Sequence, residues 1–308
     1  MNELSTNTKI LVAVSGGVDS VYLLEHLIDS GYTNIGISHF NHMIRTESME
    51  DVGLVRALAK KHHIPFHYTK YDIPSMSKTQ KRSIELTARN ARRKFFDIIM
   101  AMNGYEWLAL GHHSDDQAET VLNNLLRGSG AHGLAGMLKV DTNQKIYRPL
   151  LDYSKEYIYR RANELSLQWN EDATNHDEHD NSRAWLRNNI IPELTKKHPE
   201  VVTVLSDTAT RFQDMSNYFK EVANKWCEND QHYMSDLKEQ HKTIQAEILG
   251  AWWEKYNGSR EGFRNSVVSE VLRWVNGNPQ GMTEVYFGSG VLRLEKGMLG
   301  FIKGKTNQ

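Results

Sequence analysis

The stretch that decides the fold is Ile10-Leu11-Val12-Ala13-Val14-Ser15-Gly16-Gly17-Val18-Asp19-Ser20. An apolar run ends in two glycines, and Val21, Leu24, Leu27 and Ile28 then repeat at helical spacing before Gly31, where a helix C-terminus takes a left-handed residue. A strand, a tight turn and a helix therefore open the chain. Glycines directly after a strand let the backbone approach a ligand closely, and the helix behind them aims its free amides and positive dipole end at the same place. An anion belongs there. The hydroxyls of Ser15 and Ser20 add donors. Asp19 suits an anion site when a divalent cation bridges it to phosphates, a role that fits Mg2+. The spacing is neither Gly-x-x-x-x-Gly-Lys-[Ser/Thr] nor Gly-x-Gly-x-x-Gly. The bland alternative is a Gly-rich connection that holds no ligand.

Working outward, short apolar runs alternate with amphipathic stretches to about residue 151, the pattern of strands and crossover helices in a parallel α/β sheet. Five strands are expected: Ile10 to Val14, Ile35 to Phe40, Phe66 to Tyr71, Trp107 to Leu110 and Ile146 to Leu150. A helix begins after Ser48, with Asp51 as a capping-box variant, and buries Val52, Val55, Leu58 and Ala59. Another runs from about Ser83 to Met102, apolar at Leu86, Phe95, Ile98, Ile99 and Met102. Residues from about 152 read as a connector: Ser154 caps a short helix, and the acidic, Asn-rich stretch Asn170 to Asn181 lacks an apolar period. Glu200 to Asn276 is helical, and Glu284 to Lys303 alternates as one or two hairpins. The fold class is thus α/β, a doubly wound, mostly parallel five-stranded sheet with a smaller, mainly helical C-terminal domain. The expected boundary divides 1–195 from 196–308.

With 308 residues, 39% hydrophobic and 24% charged, the chain can bury a full core. Its 37 basic residues nearly cancel 38 acidic ones, so a nucleic acid would be held by local patches and not by a globally positive surface. No apolar run approaches the roughly 20 residues of a membrane span, and the polar start Met1-Asn2-Glu3-Leu4-Ser5 has no secretory core; cytoplasm and no membrane partner are expected. The only cysteine, Cys227, forms no internal disulfide, thiolate zinc site or Cys-x-x-Cys pair. No pattern encodes oligomeric state, which leaves a homodimer open.

Two further blocks sit where open α/β sheets place ligands, beyond the carboxyl ends of strands. The first, His39-Phe40-Asn41-His42-Met43-Ile44-Arg45, follows the second strand and could line a nucleotide, or be a solvated loop with incidental histidines. The second, Gly111-His112-His113-Ser114-Asp115-Asp116-Gln117-Ala118-Glu119-Thr120, follows the fourth strand and opens a helix. Asp116 and Glu119 are three apart, hence on one helical face, and could together hold an ammonium group. Carboxylates at a helix start also stabilise the dipole, by roughly 0.3 to 1 kcal/mol, which accounts for Asp115 better than for Glu119.

The first loop, Ser-Gly-Gly-x-Asp-Ser, resembles the PP-loop of ATP pyrophosphatases, which cleave ATP between the α- and β-phosphates. The resemblance implies a doubly wound sheet, Mg2+-assisted transfer of AMP and an adenylated intermediate. Within that superfamily, the His39 to Arg45 block, the Gly111 to Thr120 block with its continuation Leu125 to Leu134, Arg148-Pro149-Leu150-Leu151 and Asn189 to Leu194 resemble tRNA(Ile)-lysidine synthetase, in its short form. The Glu85 to Arg92 run matches Glu-x-x-Ala-Arg-x-x-Arg. One departure is Arg183-Ala184-Trp185-Leu186-Arg187, where the family tends to have Arg-Asn before a second Arg.

The resemblance implies a ligase that joins L-lysine to C2 of the wobble cytosine in the CAU anticodon of isoleucine tRNA, with ATP consumed. It implies catalytic roles for Asp19, Asp116 and Glu119. ATP would be bound by Ser15, Gly16, Gly17, Val18, Asp19, Ser20, His39, Gly111 and His112, with Mg2+ on Asp19 and the phosphates. Lysine would be held by Asp116 and Glu119. Asn41, His42, Arg45, Arg89, Arg92 and Arg127 become candidates for tRNA or phosphate contacts, and residues 196–308 for a tRNA-contacting domain. Two rivals remain: a PP-loop tRNA thiolase, disfavoured by the shortage of cysteine, and an ATP-binding regulatory protein without chemistry.

Overall fold

The computed structural model describes residues 3–43, 48–170, 182–229, 231–258, 262–263, 265–277 and 281–303. Arg45, and all of the acidic Asn-rich stretch but Asn170, lie outside the described residues. The chain divides into two compact units, Met1–Arg211 and Phe212–Gln308.

In the first unit the elements run β1 (Ile10–Ala13), α1 (Val18–Asp29), β2 (Ile35–Asn41), α2 (Ser48–Lys61), β3 (Phe66–Lys70), α3 (Ile73–Gln80), α4 (Ile84–Asn103), β4 (Trp107–Ala109), α5 (Ser114–Leu126), α6 (Ala131–Leu134), β5 (Val140–Asp141), β6 (Ile146–Tyr147) and α7 (Lys155–Glu164). After the undescribed stretch come α8 (Ser182–Trp185), a π-helical turn (Leu186–Ile190), α9 (Ile191–Lys197) and the start of α10 (Val201–Cys227). The sheet has six strands in the order β3-β2-β1-β4-β6-β5. All pairs are parallel except β5 with β6. The sixth strand escaped the sequence because two residues cannot show an alternation. The strand expected over Ile146 to Leu150 stops at Tyr147; beyond it comes Pro149, which has no amide to continue a ladder.

Successive side chains of a strand point to opposite faces, and the core divides accordingly. Ile10 and Val12 join Val21, Leu24 and Leu27 of α1, Val55, Leu58 and Ala59 of α2, and Ile158 and Ala162 of α7. Leu11 and Leu108 pack instead with Ile73 of α3 and Phe95 and Phe96 of α4. Helices therefore cover both faces, which is why β1 reads as a continuous apolar run. Several helix starts carry the side-chain caps their sequences suggest. Ser83 accepts from the amide of Leu86 at 3.3 Å, and Ser154 from that of Tyr157 at 3.1 Å. Asp51, expected as a cap, accepts from Asn170 Nδ2 at 2.8 Å.

The second unit holds the end of α10, α11 (Met234–Glu239), α12 (Lys242–Asn257), α13 (Asn265–Asn276) and a three-stranded antiparallel sheet of β7 (Thr283–Phe287), β8 (Gly290–Glu295) and β9 (Met298–Lys303). Leu237, Ile248, Leu249, Trp252, Val271 and Val275 of its helices pack on Phe287, Leu292 and Leu294 of that sheet. The tail is two hairpins. Among the described residues no helix is long and apolar enough to cross a membrane.

One glycine limits how closely the layers pack. Gly36 pairs with Leu11 in β2, and a Cβ there would fall inside the phenol of Tyr105, whose hydroxyl bonds His67 Nε2 at 3.1 Å. Gly36→Ala should overpack this face, cost about 1 to 3 kcal/mol and lower the melting temperature by about 2 to 10 °C. Calorimetry checks it; an unchanged transition would show that the ring can move aside freely.

Candidate active site

The chain order turns back at β4, which pairs with β1 and not with β3. Open α/β sheets bind ligands at such a switch point, outside the carboxyl ends of the strands. A cleft of about 520 Å³ lies there, lined by the loop after β1, the end of β2 and the start of α5.

The loop is tied from within. Ser20 Oγ accepts from the amides of Ser15 at 3.0 Å and Gly16 at 3.3 Å, and donates to the carbonyl of Gly17 at 2.9 Å. The Ser20 hydroxyl thus shapes the loop, while the amides of Val18 and Asp19 in the first turn of α1 take no backbone partner. Gly16 sits at φ 105°, open only to glycine. A Cβ on Gly111 would press 3.1 Å from the carbonyl oxygen of Asp19, so the two loops touch backbone to backbone. Asn170 closes the far side, donating its amide to Gly16 O at 3.0 Å.

Charge in the cleft is interleaved. Lys155 Nζ lies 2.6 Å from both carboxylate oxygens of Asp19. The backbone amide of the same Lys155 donates to Asp115 at 2.8 Å. Asp116 Oδ2 accepts from the amide of His113 at 3.0 Å, so it caps α5 as well as facing the cleft. Glu119 is 3% exposed, and Arg187 donates to it through Nε and, at 2.9 Å, through Nη2. The same Nη2 lies 3.4 Å from Asp116 Oδ1. Two carboxylates thus converge on one cation. Burial pushes the Glu119 carboxyl above the usual carboxylate range despite Arg187, while the bond to Glu119 raises Arg187 further. For His113, burial works against charge, but Asp115, Asp116 and Asp19 outweigh it and raise its pKa.

Two imidazoles present opposite polarity. His39 Nδ1–H donates to the carbonyl of Val14 at 2.8 Å, which leaves Nε2 as a buried acceptor without a partner. Burial lowers the pKa of His39. His112 is the reverse: its Nδ1 accepts from Arg148 Nε at 3.2 Å, so its one hydrogen sits on Nε2. Both residues line the cleft.

Of the residues singled out from sequence, Ser15, Gly17, Val18, Asp19, Ser20, His39, Asn41, His42, Arg92, Gly111, His112 and Asp116 line this cleft, with Gly16 and Glu119 beside it. Arg89 is exposed on α4, and Arg127 is exposed at the opposite end of α5 from Asp116. The sequence alone assigned no site role to Lys155, Asn170, Arg148 or Arg187, and gave Asp51 only that of a helix cap. Arg148 and Arg187 stood inside quoted motifs; for Lys155 the only signal was its place after a capping serine.

The description PP-loop domain matches residues 1–194. The chain is 34% identical over 252 residues to a tRNA(Ile)-lysidine synthase of Streptococcus pyogenes, covering 80% of this chain and 55% of that one. It is 40% identical over 194 residues to the tRNA(Ile)-lysidine synthase of Chlorobaculum tepidum, covering 61% and 57%. The chain spans about half the length of the curated relatives it matches. Among solved structures it is similar to a U34-tRNA thiolase from Methanococcus maripaludis carrying a [4Fe-4S] cluster, with TM-score 0.55, 20% identity and coverage of 68% and 72%, a likeness of fold. Because the match takes in 194 of its 308 residues, the chain belongs to the PP-loop domain family.

Proposed function

We propose that the protein is a tRNA(Ile)-lysidine synthetase that uses ATP to join L-lysine to the wobble cytosine of a CAU-anticodon isoleucine tRNA. The observation that carries this is the pairing, in one cleft, of a phosphate-cradling loop with two carboxylates converging on a cation. The identity of 34% and 40% to curated tRNA(Ile)-lysidine synthases supports the choice of substrates.

In the first step cytosine O2 attacks the α-phosphorus of ATP, an O–P bond forms, and the bond to pyrophosphate breaks. The amides of Val18 and Asp19, Arg92 and the Nε2–H of His112 are placed to stabilise charge growing on the phosphates. The buried acceptor His39 Nε2 suits an amino group such as that of adenine. In the second step the lysine ε-amine attacks C2 and expels AMP, giving up a proton as it does so; its reference pKa is about 10.4. Asp116 and Glu119 hold the amine, which takes the place of the Arg187 guanidinium between them. Asp19, a carboxylate at the cleft beside the loop amides, would hold Mg2+ in place of Lys155, and the ion would supply neutralisation of phosphate charge. Asn41, His42 and Arg92 at the cleft, Arg89 and Arg127 beyond it, Arg45, and the second unit are offered as tRNA contacts. Such a substrate places the work in the cytoplasm.

A thiolase reading fares worse. Cys227 belongs to the second unit, its thiol is pushed up to about 11 by burial, and one cysteine cannot supply the thiolates of a cluster.

Incubation with ATP, radiolabelled lysine and CAU-anticodon isoleucine tRNA should put label into RNA and release pyrophosphate; a regulatory ATP-binding protein would do neither. Asp116→Asn keeps an oxygen for the helix cap and removes the charge, so KM for lysine should rise about 10-fold or more with KM for ATP within about twofold. Equal loss of both would detach Asp116 from lysine. Asp19→Asn should slow pyrophosphate release about 100-fold at saturating Mg2+, and an unchanged rate would remove Asp19 from the phosphate site.

A further inference from the structure

Arg148 is 7% exposed, and its guanidinium is engaged in two directions inside the first unit. Nη1 donates to the carbonyl of Leu138 at 2.8 Å, and Nε donates to His112 Nδ1 at 3.2 Å. The acceptor carbonyl is itself held. Gln117, 3% exposed on α5, donates to Met137 O at 2.9 Å and accepts from Met137 N at 2.8 Å, which fixes the segment that presents Leu138. The backbone of Arg148 adds a bond to Lys139 O at 2.8 Å. A buried cation with such anchoring has no carboxylate partner among these bonds, which is costly unless the arrangement serves something else. What it serves is visible at the other end. A guanidinium has no lone pair to offer, so His112 Nδ1 must be the acceptor and the imidazole must be neutral with its hydrogen on Nε2.

We propose that Arg148 is a positioning residue that orients His112 and holds it as the neutral Nε2–H form, so that this N–H is offered to a phosphate oxygen of the nucleotide in the cleft. The idea rests on the ATP reading above and adds a residue to it. The charged and titratable groups facing His112 are Asp116 and His113 from the start of α5, Arg148 from the end of β6 and Arg92 from α4. Burial is the main force against a charge on His112, the cations Arg148, Arg92 and His113 add to it, and Asp116 opposes them; together they push its pKa down to about 4. The Arg148 Nε–H bond to Nδ1 favours the same uncharged form. A neutral donor stabilises a phosphate without becoming a further buried cation that would bind pyrophosphate too tightly to release.

Two measurements test this. In the ligand-free protein, nitrogen NMR of the imidazoles, with the His112 signal identified by its loss in His112→Gln, should show Nδ1 unprotonated and Nε2 protonated from pH 8 down to pH 5. Protonation of Nδ1 in that range overturns the proposal, whether or not the protein turns out to adenylate tRNA. The second measurement is a double-mutant cycle on ATP-dependent pyrophosphate release with the tRNA substrate. Arg148→Met should lower kcat/KM about 10-fold in the native background, the worth of one hydrogen bond to a charged group, yet less than about twofold when His112 is already Ala. Equal losses in both backgrounds would mean that Arg148 only supports the fold, and the proposal would fall. If Arg148→Met does not fold, the NMR result on the native protein still decides. If the native protein releases no pyrophosphate at all, the proposed function fails while the NMR test of the Arg148–His112 clamp stands.

Discussion

Everything at the cleft depends on the parallel pairing of β4 with β1, in the register Val12 opposite Ala109. That pairing brings two loops, from residues far apart in the chain, to the same edge of the sheet. Because Gly111 then lies against the carbonyl of Asp19, where a Cβ would be a tight contact, the loops are pressed together. The start of α5 lies beside the start of α1, and the amides of one helix start become neighbours of the carboxylates of the other. The remaining constraints follow from that closeness: Gly16 must turn through a left-handed conformation, and Ser20 must spend its hydroxyl inside the loop.

Bringing Asp19, Asp115, Asp116 and Glu119 this close would be unfavourable without compensation, since like charges in a partly buried cleft repel one another. Each of them has a donor, and Arg187 is shared by two. Lys155 meets Asp19, the Lys155 amide meets Asp115, the His113 amide meets Asp116, and Arg187 meets Glu119. Two of these partners are long cationic side chains, and the other two are backbone amides. Asp115 and the capping oxygen of Asp116 are thereby tied to the backbone, while Asp19 and Glu119 are met by side chains. Under the proposed function, a metal and a lysine amine are the cations that would take the places of those two side chains.

How much of this could be read from the sequence divides along the range of the interactions. The strand, glycine turn and helix at Ile10 to Ile28 are local, and hydrophobic periodicity reports them directly. The same holds for Asp116 and Glu119, whose spacing on one helical face needs only the pitch of α5. Lys155 and Arg187 could not be found that way. Their bonds to Asp19 and Glu119 span 136 and 68 residues, and nothing local distinguishes either from a solvated basic residue. Strand β5 was missed for a different reason: two residues paired across a turn carry no period at all. Asp51 looked like a helix cap because its position in α2 fits one; its bond to Asn170 joins residues 119 apart.

The two histidines show what burial adds to identity. His39 and His112 are the same residue at the ends of strands on either side of β1, yet one carries its hydrogen on Nδ1 and the other on Nε2. The difference lies entirely in the partner. A carbonyl, Val14 O, accepts from His39 and leaves a buried lone pair on Nε2, whereas a guanidinium donates to His112 and leaves an N–H. A neutral imidazole serves equally well as donor or acceptor, so a sequence that shows two histidines at strand ends shows two sites without their polarity. Here the polarities are opposed across one cleft, an acceptor on the β2 side and a donor beside the phosphate loop. A ligand with an amino group at one end and oxyanions at the other would satisfy both, and one with oxyanions at both ends would leave the lone pair of His39 facing a like charge.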